Sequence, residues 1–221
     1  MSSASTLVTD EHFAYVAART LPEDALLRDL RKAAGREGLP AIHIAPEQGS
    51  FMQLLLKIAR ARDVVEVGTL GGYSAIWMAR SGARVLTIEI NPKHADFARA
   101  WVARSDVADR VEVRLGSGQE VLPTLKDSSA DAAFLDADKA GYAGYLQECL
   151  RIVRPGGLIL ADNAFAFGEL FSDRPRDREV DAVKRFNELM ARTPGLHGII
   201  VPIGDGLWVS FREPSARTRT T

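Results

Sequence analysis

Apolar positions recur with two different periods along the chain. Before residue 64 they follow helical spacing, as Phe51, Leu55 and Ile58 do. This pattern predicts three helices, over residues 11–19, 23–34 and 45–60. We expect these helices to form an N-terminal cover, residues 1–60, over a larger core.

From residue 64 onward, short apolar runs alternate with helical patterns. The runs predict strands over residues 64–67, 85–90, 111–115, 132–136 and 158–162. The patterns between them predict helices over residues 74–80, 92–105, 119–126 and 139–153. Repeated strand–helix–strand units imply a mainly parallel sheet with right-handed crossovers and helices on both faces.

The pattern changes near the end of the chain. One more helix is predicted over residues 180–192, before strand-like runs at residues 198–203 and 207–212. Gly204, Asp205 and Gly206 join these runs and indicate a hairpin, so the last strand is expected to be antiparallel. We therefore predict one α/β domain with a Rossmann-like core over residues 64–212, a seven-stranded sheet and a polar tail over residues 213–221.

Composition and charge exclude several classes of partner. The chain has 221 residues, 46% hydrophobic and 26% charged, as in an ordinary globular protein. A formal net charge of -1 gives no overall attraction to nucleic acid or to an acidic membrane, so neither is expected as a partner. Cys149 is the only cysteine, which excludes an intramolecular disulfide. Without a signal-peptide pattern at residues 1–6, we expect a soluble cytoplasmic protein.

Polar oxygen-bearing residues follow two neighbouring strands of the predicted sheet. Asp136 ends one strand, while Asp162 and Asn163 end the next. Because open α/β sheets bind ligands at the carboxyl ends of their strands, these side chains are expected to converge. Carboxylate and amide oxygens suit Mg²⁺, and Lys139 lies three residues after Asp136. The sequence therefore predicts a metal-assisted enzyme.

A glycine-containing turn leaves the first strand and enters a helix at residues 66–74. A dinucleotide fingerprint would need glycine at positions 68, 70 and 73, but only Gly68 fits, since Leu70 and Tyr73 occupy the others. Glu89 ends the second strand, where an acidic side chain can bind both hydroxyls of a ribose. The pattern favours a nucleoside cofactor without a pyrophosphate, such as S-adenosylmethionine, with its amino-acid end near Glu66.

Six segments in order over residues 40–212 resemble the cation-dependent O-methyltransferases, which include catechol and caffeoyl-coenzyme A O-methyltransferases. The segments are APEQGSF, EVGTLGGYS, IEINP, FLDADK, RPGGLILADN and PIGDGL. The DADK form is closer to the caffeoyl-coenzyme A and bacterial branch. The resemblance implies the class I methyltransferase fold, S-adenosylmethionine, a homodimer and methylation of an aromatic compound with two adjacent hydroxyls.

The resemblance also implies a role for individual residues. The ligands of Mg²⁺, or of Ca²⁺ or Mn²⁺, would be Asp136, Asp162 and Asn163. Lys139 would be the catalytic base, assisted by Asp136. The cofactor would be bound by Ile42, Glu66, Gly68, Gly72, Ser74, Glu89, Gly118, Gln119 and Asp136.

The chain departs from the family pattern at three positions. Ile42 stands where many relatives have a methionine near the reacting methyl group, and Gly118 replaces a serine found beside adenine in some members. Pro202 falls where animal catechol enzymes place a glutamate beside the substrate. This last departure weakens the expectation of catechol-specific contacts.

The same residues also allow simpler interpretations. Asp136 and Asp162 can end a strand and cap the next helix, and Asp138 can either cap or support a cation ligand. Two other functions stay open. A nicotinamide-dependent oxidoreductase would require the missing glycine pattern, and a non-catalytic nucleoside-binding module would not need Lys139 beside a full set of oxygen ligands.

Overall fold

The computed structural model describes residues 8–214, so residues 1–7 and the predicted tail after residue 214 lie outside the described residues. Three helices precede the sheet: α1 (Asp10–Ala17), α2 (Ala25–Arg36) and α3 (Pro46–Ile58). The strands are β1 (Asp63–Val67), β2 (Arg84–Glu89), β3 (Val111–Leu115), β4 (Ala130–Leu135), β5 (Val153–Ala161), β6 (Leu196–Val201) and β7 (Leu207–Arg212). The helices among them are α4 (Tyr73–Ala79), α5 (Pro92–Val102), α6 (Gly118–Val121), α7 (Tyr142–Ile152) and α8 (Val180–Arg192).

The strands form one seven-stranded sheet in the order β3-β2-β1-β4-β5-β7-β6. Neighbours from β3 to β5 are parallel, whereas β7 runs antiparallel to both β5 and β6. The predicted mostly parallel sheet with an antiparallel last strand is therefore confirmed. The strand order reverses between β1 and β4, which opens a crevice at their carboxyl ends.

Local sequence explains several helix ends. Asn91 accepts a hydrogen bond from the Lys93 amide at 2.9 Å and caps α5, whose first residue is Pro92. The helix predicted over residues 119–126 is shorter in the structure. α6 ends at Val121 and continues as a 3-10 turn, Leu122–Thr124, because Pro123 has no N–H for a helical hydrogen bond.

Helices cover both faces of the sheet, as the strand–helix alternation predicts. On one face Leu30, Met52 and Trp77 pack from α2, α3 and α4. On the other face Leu146 of α7 and Phe186 of α8 pack against the strands. Within the described residues, none of the helices combines the length and the apolar character that crossing a bilayer requires.

The turn after β1 lies directly against the end of β4. Gly68 has a φ of +100°, and a Cβ there would lie 1.9 Å from the Asp136 carbonyl oxygen. The Asp136 amide donates to the Val67 carbonyl at 2.9 Å, which holds the two chain segments together. Glycine is needed at position 68 for both the backbone conformation and the close approach. This contact brings the glycine turn and the acidic segment to one edge of the sheet.

Gly68→Ala should lower the free energy of unfolding by about 2 to 4 kcal/mol, since it adds backbone strain to a steric overlap. Gly144→Ala is a matched control, because Gly144 lies in α7 with nothing within 4 Å of a built Cβ. The Gly144→Ala control should be more stable than the wild type by about 0.5 to 1 kcal/mol, because alanine is favoured over glycine inside a helix by this amount. Urea unfolding measures both, and equal stability of the two variants would refute the close approach.

Candidate active site

A cavity of about 760 Å³ opens at the carboxyl edge of the sheet. Its wall includes the predicted metal and catalytic residues Asp136, Lys139, Asp162 and Asn163. Of the predicted cofactor residues, the wall includes Ile42, Gly68, Ser74, Glu89, Gly118 and Asp136. Three predicted cofactor residues are not part of the wall: Glu66, Gly72 and Gln119.

Asp136, Asp162 and Asn163, here called the acidic centre, end β4 and β5 as the sequence predicts. Burial, together with repulsion from the nearby Asp136 carboxylate, raises the pKa of Asp162 to about 7. Burial also raises the pKa of Asp136, while Lys139 acts in the opposite direction. Two carboxylates that repel each other lower their energy when a cation lies between them.

The donor set of the acidic centre fits a hard divalent cation. It offers two carboxylates and one amide oxygen, the donor types that Mg²⁺ prefers. Among the described residues, no group of three or more His, Cys, Asp or Glu side chains is arranged to hold a metal. A cation at this place would therefore depend on Asn163 for its third protein oxygen.

Lys139 is held in place by side chains from two directions. Its Nζ lies 3.4 Å from Asp136 Oδ1 and donates to the Tyr142 hydroxyl at 2.7 Å. That hydroxyl donates in turn to the Leu135 carbonyl at 3.0 Å. Burial raises the pKa of Tyr142 well above its usual value, so its hydroxyl stays neutral. Sequence reasoning missed Tyr142, although its spacing of three residues from Lys139 was a usable signal.

Gln48 connects α3 to the acidic centre and was also missed. Its Nε2 donates to Asp162 Oδ1 at 2.9 Å, and the residue is only 1% exposed. The only signal was its place in the APEQGSF segment, because Gln48 and Asp162 are 114 residues apart.

Asp138 and Asp205 have more definite contacts than their sequence predicts. Asp138 caps the turn that starts at Lys139, since it accepts from the Gly141 amide at 2.9 Å. It also accepts from the Tyr145 hydroxyl at 2.6 Å. Asp205 lies in the hairpin, as predicted, but its carboxylate also accepts from Asn163 Nδ2 at 3.1 Å. Asp205 therefore contacts the acidic centre directly.

Glu66 lies behind the cavity wall and is 0% exposed. Its Oε1 accepts from the Ser74 hydroxyl, and Ser74 is part of the wall. Its Oε2 has no hydrogen-bond partner in the described part of the chain. Burial raises the pKa of Glu66 to about 8. Only Ser74 separates this carboxyl from the cavity. A carboxyl oxygen without a partner at this place suits a cationic ligand group, such as the ammonium of an amino acid.

Glu89 reaches the cavity from the end of β2. Its two oxygens accept backbone N–H groups, from Leu70 at 2.8 Å and Asn91 at 2.9 Å. These bonds fix the carboxylate and leave lone pairs for the hydroxyls of a ribose. Gly118 packs closely against the Tyr145 ring, because a Cβ at position 118 would lie 2.7 Å from it.

The remaining predicted cofactor residues differ in placement. Gly72 has a φ of +82° at the start of α4, a backbone conformation that favours glycine, and it lies beside Ala98. Ile42 lies at the cavity mouth and is 69% exposed.

His43 is also part of the wall, beside Tyr73. Burial, with a contribution from Arg31, lowers its pKa to about 4, so the ring is neutral.

The chain is similar to O-methyltransferases of known sequence and structure. The model of a family described as O-methyltransferase matches residues 16–213. A catechol O-methyltransferase from Niastella koreensis is 38% identical over 81% of this chain and 83% of its own. One from Mycobacterium tuberculosis is 37% identical over 90% of this chain and 91% of its own. The structure of a Bacillus cereus O-methyltransferase in complex with SAH has a TM-score of 0.82, with 36% identity over 90% of this chain and 96% of that chain.

The contribution of Glu66 to the free energy of unfolding should fall as the pH rises from about 4.5, the ordinary pKa of glutamate, to about 8, the pKa of Glu66 in the fold. In this range the unfolded carboxyl ionises first, so the unfolded state binds fewer protons and gains stability. Glu66→Gln should make the decline of the free energy of unfolding with pH less steep, by at most about 1.4 kcal/mol per pH unit. Urea unfolding in EDTA between pH 5 and 8 measures this. Asp162 contributes in the same direction, but it is present in both the wild type and the Glu66→Gln variant. If the free energy of unfolding of the two proteins changes in parallel with pH, the raised pKa of Glu66 is refuted.

Proposed function

The chain belongs to the O-methyltransferase family, and on that premise we propose that it transfers a methyl group from S-adenosylmethionine to an aromatic compound with two adjacent hydroxyls. One hydroxyl oxygen receives the methyl group, and the reaction requires a divalent cation. The observation that carries this proposal is the acidic centre beside a buried Lys139 within one cavity. A methylated phenol requires a site that removes a proton and orients an oxygen. These residues supply a proton acceptor and oxygen ligands at one place.

When bound, a divalent cation lowers the pKa of a phenol beside it, and the sulfonium of S-adenosylmethionine supplies the methyl group. Asp136, Asp162 and Asn163 would hold the cation, and Gln48 holds Asp162 in place through its 2.9 Å hydrogen bond. Lys139 would take the phenol proton at Nζ. Its contact with the Tyr142 hydroxyl keeps Nζ at the cavity wall, near Asp136.

The turns after β1, β2 and β3 would hold the cofactor. Glu89 would bind the ribose hydroxyls, while Ser74, backed by Glu66, would receive the ammonium of the amino-acid end. Gly68 and Gly118 lie in the cavity wall and would contact the ligand. Among the other predicted cofactor residues, Ile42 would contact the ligand near the mouth of the cavity.

Positioning is expected to supply much of the rate. Alignment of two reactants in one site can contribute about 7 to 11 kcal/mol to lowering a barrier. The cavity walls exclude water from one side of the acidic centre, because Asp162 is only 7% exposed and Lys139 only 5%. The apolar side chains of Ile42 and Phe167 in the cavity wall would suit a small aromatic acceptor.

Turnover should require two adjacent hydroxyls on the acceptor, since one hydroxyl cannot occupy two ligand positions of a cation. The test compares a catechol with its two monohydroxy analogues, each with and without EDTA, and detects the methylated product by mass. Calorimetry of S-adenosylmethionine binding in EDTA is the control that the protein is intact. Monophenols that react as fast as the catechol, or a rate that EDTA leaves unchanged, would show that the cation does not chelate the acceptor.

Lys139→Met keeps a similar length and removes the proton acceptor. The maximal rate should fall by about 100-fold to 10,000-fold, the usual contribution of a general base, with little change in cofactor affinity. Lys57→Met is the matched control, because Lys57 lies on the exposed side of α3 outside the cavity wall. Steady-state kinetics measure the maximal rates, and the base assignment fails when both variants keep the wild-type rate.

A further inference from the structure

The hairpin between β6 and β7 is joined to the segment that follows β5. The Ala164 amide donates to the Gly206 carbonyl at 2.8 Å, and the Phe165 amide donates to the Asp205 carbonyl at 2.9 Å. The Asp205 side chain adds further contacts to the same segment. Its Oδ2 accepts from the Phe167 amide at 2.8 Å, and its Oδ1 accepts from the Gly168 amide at 3.1 Å.

The Asp205 carboxylate also fixes the orientation of the Asn163 side-chain amide. Asp205 Oδ2 accepts from Asn163 Nδ2 at 3.1 Å. An amide has a donor end and an acceptor end, whereas a carboxylate that already faces two backbone N–H groups is an acceptor. The NH₂ group of Asn163 must therefore turn toward Asp205. The amide oxygen is left free for another partner.

The backbone of this segment needs external support. Asn163, Ala166 and Phe167 have φ values of +64°, +54° and +60°, a region that residues with a side chain rarely adopt. Asp205 accepts from Phe167 and Gly168, at the end of the strained stretch, and from Asn163 at its start. One side chain therefore controls both the backbone around Asn163 and the direction of its amide.

We propose that Asp205 is a positioning residue that acts through Asn163, by turning the Asn163 amide oxygen toward the acidic centre. This inference rests on the proposed function, because it assigns that oxygen to a divalent cation. Asp205 itself would not touch the cation. Without an acceptor at position 205, the Asn163 amide oxygen is no longer held toward the cation site before binding, so the cation itself has to order the amide.

The test measures Mn²⁺ binding to the full chain by electron paramagnetic resonance of free Mn²⁺, without acceptor or turnover. Asp205→Asn keeps the shape of the side chain but adds a donor. It should weaken Mn²⁺ binding by about 10-fold to 100-fold, the usual effect of losing a partner that orients a ligand. Glu169→Gln is the matched control, since Glu169 also accepts two loop amides, from Arg176 and Asp177, but lies outside the cavity wall. The control should bind Mn²⁺ like the wild type.

A double-mutant cycle separates positioning from general support of the fold. If Asp205 acts through Asn163, Asp205→Asn should have no further effect on Mn²⁺ affinity in an Asn163→Ala background. Additive losses, or an unchanged affinity in the single variant, would overturn the inference and leave the proposed function standing. Absence of Mn²⁺ binding in the wild type would overturn both. If Asp205→Asn does not fold, Asp205→Glu, which displaces the carboxylate, takes its place in the same cycle.

Discussion

Negative charge concentrated at one edge of the sheet is the constraint on which the site depends. Glu66 and Asp162 are buried, and Asp136 is partly buried beside them. Desolvation and mutual repulsion disfavour their ionised forms, as the raised pKa values of all three carboxyls indicate. Lys139 Nζ lies 3.4 Å from Asp136 Oδ1 at the same edge. A cation in the cavity, such as the metal or the ligand ammonium proposed above, would lower the repulsion among these carboxyls.

Most of the fold could be predicted from the sequence because its signals are local. Apolar runs mark the strands, and Asn91 with Pro92 marks the start of α5. Once a parallel sheet is predicted, the ends of its strands must meet at one edge, which is why Asp136 and Asp162 were expected to be close. The length of the helix at residues 119–126 was wrong, because Pro123 outweighs the apolar pattern around it.

The contacts that orient the site residues could not be predicted in the same way. Gln48 and Asp162 are 114 residues apart, and Asn163 and Asp205 are 42 residues apart. Such pairs depend on how separate elements pack, which a hydrophobic period does not encode. The hairpin pattern predicted a turn at Asp205 correctly, but gave no reason for its carboxylate to face another loop.

The two halves of the cavity differ in how they connect to the acidic centre. The end of β1 is joined to the acidic centre by a backbone hydrogen bond, from the Asp136 amide to the Val67 carbonyl. The opposite half comes from α3, the segment after β5 and the β6–β7 hairpin, and each reaches the centre or Lys139 through a side chain, by way of Gln48, Glu179 and Asp205. A substitution in the opposite half can therefore shift a proposed cation ligand or the proposed base through a single hydrogen bond. Acceptor preference and cation affinity are expected to change together, whereas cofactor binding can stay constant while both change.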